Sequence, residues 1–225
     1  MPDAVGPLDD RPRLYEPLGA GVTLISTRVR AWAAIATIYT VAASSVAAGV
    51  LGSREADAWR RAVEGSGPIE TALQLHRDGD TLTKFSWMCI AVSAVALVFW
   101  TYGILRNATA RGVRGIHRAE ALYWLLPLLG IRLALRPLQH CVRNVGYSEH
   151  RLTRWLWVAY IHLLVMFFVT YALLRTTVNV ATVVSQLDSL DTQAQILWVF
   201  AVWVFWSATV AMLAIRHTDK SVSKI

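Results

Sequence analysis

The chain has 225 residues, of which 55% are hydrophobic, with a formal net charge of +7 and a mean hydropathy of +0.42. The length suits one ordinary domain, but so apolar a composition argues against a water-soluble globule and against a disordered chain. Its 2 cysteines exclude a disulfide scaffold.

Residues 1–28 begin with Pro2, Pro7, Pro12 and Pro17 among balanced charges, the pattern of a flexible tail. The first long apolar run follows, from Ala31 to Leu51. Ala47-Ala48-Gly49 resembles a signal-peptide cleavage region, but the run exceeds the roughly 7–15 residues of a signal core and is read as an uncleaved anchor. Glu55 to Glu64 then predicts a short helix with Ala56, Trp59 and Val63 on one stripe, ended by Gly65-Ser66-Gly67-Pro68. Ile69 to Leu75 resumes a helix, and Arg77-Asp78-Gly79-Asp80 predicts a turn in which Asp80 or Thr81 caps the next span.

Three further runs lack Lys, Arg, Asp and Glu, as the first does: 85–105, 155–174 and 196–215. Each reaches the roughly 20 residues a helix needs to cross about 30 Å of hydrocarbon. In lipid a backbone must satisfy its own hydrogen bonds, which runs of this length do as helices. The small pairs Ala43 with Ala47, Ser44 with Ala48 and Ser45 with Gly49 allow close helix approach, read as packing within the chain in preference to a dimer face. Val180, Val183, Val184, Leu187 and Leu190 recur at helical spacing, as if the third span continued beyond the bilayer.

Orientation follows from the short connections. Between Arg106 and Arg154 lie nine arginines and no lysine. Both termini and this middle loop together hold 16 of the 22 basic residues, which predicts that all three are cytoplasmic. Trp32, Trp100, Trp155 and Trp157 then fall at the inner interface, and Trp87 and Trp198 at the outer one. The expected fold is all-α, an integral membrane bundle of four helices over 29–216, with the basic loop 106–154 inside and a short tail at 217–225.

Within that loop Ala119 to Gly130 is apolar but too short to cross and is interrupted by Pro127, so it reads as interfacial, re-entrant or packed against the bundle. Beyond it Arg132, Arg136, Gln139, His140 and Arg143 share one helical face, and Ile131, Leu135, Leu138, Val142 and Val145 the other. That is the pattern of a helix lying in the membrane surface, its polar residues contacting lipid phosphates or a partner, with a break expected near Arg136 because of Pro137.

Other chemistry is thin. His162 is the one ionisable group well inside a span; a hydrogen bond to a neighbouring helix is a plainer role for it than haem ligation, because no second in-span histidine faces it. His117, His140, Cys141 and His150 match no metal-ligand spacing. No catalytic signature stands out, no cofactor is implied, and nucleic-acid binding would need a dedicated fold or stacking motif that the sequence lacks.

Trp100-Thr101-Tyr102, then Arg106-Asn107, Gly112, Trp124, Pro127 and Arg136-Pro137-Leu138-Gln139, resemble the signature of an actinobacterial membrane family catalogued as domain of unknown function 4328. In that family a W-x-Y-x-x-x-R-N-like span end precedes a W-W-F-x-P-like segment and a basic-Pro step. Here Tyr123 stands in place of the first tryptophan, and the interval from Pro127 to Pro137 is longer. The resemblance implies four spans and no activity.

The sequence therefore leads to a multi-pass plasma-membrane protein without enzymatic activity, its inner loop meeting anionic lipid headgroups, a protein partner or a second copy of the chain. The alternatives are a small transporter or channel with a re-entrant segment at Pro127, and a haem protein using His162.

Overall fold

The computed structural model describes residues 24–126, 129–144 and 183–223. In chain order these form α1 (Arg28–Val63), α2 (Ile69–Ala110), a 3-10 helix (Arg118–Leu125), α3 (Leu129–Asn144) and α4 (Val183–Ser223), with no strand among them. Three helices are long and apolar enough to cross a membrane: α1, α2 and the Leu190–Asp219 part of α4. The expected run at 155–174, His162, Pro127 and the first 23 residues lie outside the described residues.

α1 occupies the middle and packs against both α2 and α4, which scarcely touch each other. Both pairings are antiparallel. Along α1 and α4, Arg60 meets Asp191 near one end, Tyr39 crosses Phe205 edge-to-face, and Thr27 bonds Asp219 at the other end. On the α2 side, Glu55 accepts a hydrogen bond from His76 at 2.8 Å, and Arg30 donates to the Phe99 carbonyl.

The small residues of α1 explain the closeness. A Cβ on Gly49 would stand 3.2 Å from the Trp198 ring, whose Nε1 donates to Ser53 Oγ, also on α1. Ser44, Ser45 and Gly49 are buried while Ala43 and Ala47 are exposed. Part of the small-residue pattern thus serves internal packing, as expected.

α1, α2 and α4 run to 36, 42 and 41 residues. At about 1.5 Å per residue each spans roughly 54–63 Å, about twice the hydrocarbon thickness. Two sequence expectations change accordingly. Residues 55–64 are the continuation of α1 and do not form a separate helix. Arg77-Asp78-Gly79-Asp80 is not a turn: it lies within α2, where the Thr81 and Thr83 hydroxyls bond the Arg77 and Gly79 carbonyls. Gly79 faces α1, where a Cβ would meet Glu55 Oε2 at 3.7 Å, an ordinary van der Waals contact. The stretch from Val183 is continuous with the fourth run in α4, and the end of the third run lies outside the described residues.

The turn at Gly65 was legible. Gly65 has φ +72°, and the Gly65 and Ser66 amides bond the Ala62 and Arg61 carbonyls, closing α1 in a Schellman motif before Pro68 starts α2. α2 ends the same way, with Gly112 at φ +85° and the Gly112 and Val113 amides bonded to Thr109 and Ala108.

The largest buried cluster sits at this second end. It joins Ala31, Ala34 and Ile35 of α1, Trp100, Ile104, Leu105 and Ala108 of α2, Val113 and Ile116 after it, Ala121 of the 3-10 helix, Leu135, Leu138 and Cys141 of α3, and Ile215 of α4. Along the apolar middle the bundle instead presents large side chains outward, among them Trp87 at 67% exposure, Val92, Phe99, Val202 and Phe205. Such a surface is unusual for a protein bathed in water and ordinary for one bathed in lipid.

Candidate functional site at the arginine-rich end

α3 is amphipathic, as its sequence predicts. Ala134, Leu135, Leu138 and Cys141 are buried, whereas Arg132, Arg136 and His140 are exposed and Gln139 is half-buried. The backbone of Arg143 lies in the same helix. Leu135, Leu138 and Cys141 of the apolar face join the protein's own cluster with α2 and the 3-10 helix.

No break occurs near Arg136. Pro137 sits inside a continuous helix and is buried. It removes the intrahelical donor for the Leu133 carbonyl, but its fixed φ suits a helix and its ring joins the packed face.

The 3-10 helix packs on α2 and α3. Trp124 Nε1 donates to Thr101 Oγ1 at 2.8 Å. Thr101 lies in the apolar run of α2, five residues before Arg106, so Trp124 is held about 7 Å along the helix from the end of that run. Leu122, Leu125 and Leu126 remain exposed beside it.

Trp100, Asn107 and Trp124 lie at this junction. Trp100 is 3% exposed, a core residue and not the interfacial anchor expected, because α3 and the 3-10 helix cover this end of α2. Tyr102 is exposed and Arg106 half-buried. Asn107 is buried and uses both ends of its amide on one residue: Oδ1 accepts from the Ile25 amide at 2.9 Å, and Nδ2 donates to the Ile25 carbonyl at 2.8 Å. The segment entering α1 is thereby pinned to the end of α2.

Metal binding finds no support here. His140 Nε2 donates to the Arg114 carbonyl at 3.1 Å, which leaves that nitrogen protonated and unable to ligate. Burial pushes the Cys141 thiol up to about 12, helped by the negative charge of Glu120, so the thiolate a metal would need is disfavoured. No group of three or more metal-capable side chains occurs among the described residues.

A feature absent from the sequence expectations lies alongside. A cavity of about 690 Å³ opens between the segment 24–28, the start of α1 and the ends of α2 and α4, with Arg28, Arg111, Arg216, Asp219 and Asn107 in its lining. Arg111 is 7% exposed. Sequence reading assigns Arg111 only to topology, since its burial depends on residues distant along the chain. The one local signal is its spacing, one helical turn beyond Asn107.

Compared with family models, curated proteins and solved structures, the chain matches none.

Proposed function

We propose that this is a non-enzymatic, multi-pass protein of the plasma membrane whose arginine-rich end faces the cytoplasm and holds anionic lipid headgroups. The Trp124–Thr101 hydrogen bond is the observation that carries the reading. It ties the 3-10 helix to the inner part of an apolar span, where exposed Leu122, Leu125 and Leu126 meet the acyl boundary, within the 5–10 Å or so at which interfacial segments sit. Arg132 and Arg136, exposed on the neighbouring α3, are then at headgroup level. The site is built from two adjoining elements, leucines from one and arginines from the other, in place of the single surface helix expected from sequence. The four-span resemblance fits this topology, with its motif residues acting as the scaffold of the junction.

The test is lipid selectivity of the whole protein. Basic residues near an anionic surface contribute about 1 kcal/mol each, so R132Q/R136Q should lower the preference for phosphatidylglycerol over phosphatidylcholine roughly 30-fold. Native mass spectrometry of lipids retained from mixed bilayers reads this directly. An unchanged preference overturns the proposal.

A further inference from the structure

We infer that the cavity between the segment 24–28 and the ends of α2 and α4 is a binding site for a phosphate group, separate from the α3 surface and independent of the reading given to it. Among the described residues its lining carries three guanidinium groups, from Arg28, Arg111 and Arg216, and one carboxylate, from Asp219. A concave wall with that imbalance concentrates field lines and favours an anion. Guanidinium forks also match the tetrahedral oxygens of a phosphate better than any other common cation does.

The acid in the lining is already engaged. Thr27 Oγ1 donates to Asp219 Oδ1, which occupies one carboxylate oxygen and ties α4 to the start of α1. Arg216 is held in place as well, its guanidinium lying over the Trp32 ring at 5.1 Å from the centroid. Arg111 is buried in the lining. The amino end of α1 also borders the cavity at Thr27 and Arg28, adding the positive end of a helix macrodipole.

The remaining wall is apolar. Ala31, Trp32 and Ile35 line it along α1, reaching into the run that crosses the membrane. The volume falls within the roughly 300–1,000 Å³ of small-molecule sites and exceeds what inorganic phosphate fills. An anionic head against arginines with an apolar stem against Ile35 is the arrangement of a phospholipid. A soluble phosphate ester would use the same arginines and leave the apolar wall unused.

The experiment uses the full chain, purified in mild detergent and stripped of lipid, with short-chain phosphatidylglycerol, short-chain phosphatidylcholine and inorganic phosphate as probes, read by calorimetric titration and thermal shift. Phosphatidylglycerol should bind at least 10-fold more tightly than phosphatidylcholine. R28Q/R216Q, which changes two exposed side chains and leaves the buried Arg111 in place, should weaken that binding at least 10-fold, whereas R54Q/R61Q, exposed at the opposite end of α1, should leave it intact. Inorganic phosphate that competes as strongly as phosphatidylglycerol supports the site with a soluble phosphate as its ligand; weak competition supports it with a lipid headgroup. Equal affinity for the two lipids, unaltered binding in R28Q/R216Q, or an equal loss in R54Q/R61Q overturns the inference.

Discussion

Asn107→Ala should loosen the whole arginine-rich end, because a single side chain there holds the entry of α1. Two hydrogen bonds disappear, at 2.9 and 2.8 Å, and the Ile25 amide and carbonyl both lose their partner. Each net bond is worth about 1 kcal/mol, and stranding half-buried backbone groups adds to that, so a loss of about 2–3 kcal/mol is expected. For a chain of this size that corresponds to a fall in Tm of roughly 5–10 °C if the segment unfolds with the bundle. If residues 24–27 fray on their own, the loss appears instead as faster amide exchange at Ile25, by about 30- to 100-fold. Asn107→Asp should fall between, since it keeps the acceptor for the Ile25 amide and loses the donor to the carbonyl. Hydrogen exchange by mass spectrometry with parallel melts in detergent separates the two modes. Unchanged Ile25 exchange together with an unchanged Tm in Asn107→Ala would refute the assignment of Asn107 as the clamp.

Two further outcomes follow from packing and charge. Gly49→Val should cost about 1–3 kcal/mol by pressing a branched side chain against the Trp198 ring, already 3.2 Å from a single added Cβ, and a melt within 1 °C or so of wild type would show that α1 and α4 do not approach so closely. Cys141, buried and with its pKa raised to about 12 from 9.0, should resist maleimide at neutral pH until the protein is denatured. Because the folded form holds the proton more tightly, its contribution to stability is complete below about pH 9 and lost as the pH rises toward 12. Cys141→Ala should flatten that alkaline decline, and an equally steep decline in the variant would count against it.

Hydropathy made α1, α2 and α4 legible because a membrane demands the same length of apolar residues whatever the tertiary fold. The polarity of α3 was legible for a similar reason: its 3.6-residue period survives any choice of partner. What covered the apolar face was not, since Leu135 and Leu138 would look alike facing lipid or facing Trp100. The extension of α2 through Asp78 and Asp80 was hidden by turn-forming residues, which tertiary contact with α1 overrides. Asn107 gave no signal of its role, because Ile25 is 82 positions away. Arg111 was visible as a charge and invisible as a buried one for the same reason.

Sidedness tests the account most directly, since the proposed function requires the arginine-rich end to meet the inner leaflet. Arg136→Cys and Ser66→Cys place exposed thiols at opposite ends of the bundle, on α3 and in the turn between α1 and α2, while native Cys89 and Cys141 are buried. In intact cells an impermeant maleimide should label Ser66→Cys at once and Arg136→Cys only after permeabilisation. Labelling of Arg136→Cys in intact cells would contradict the account.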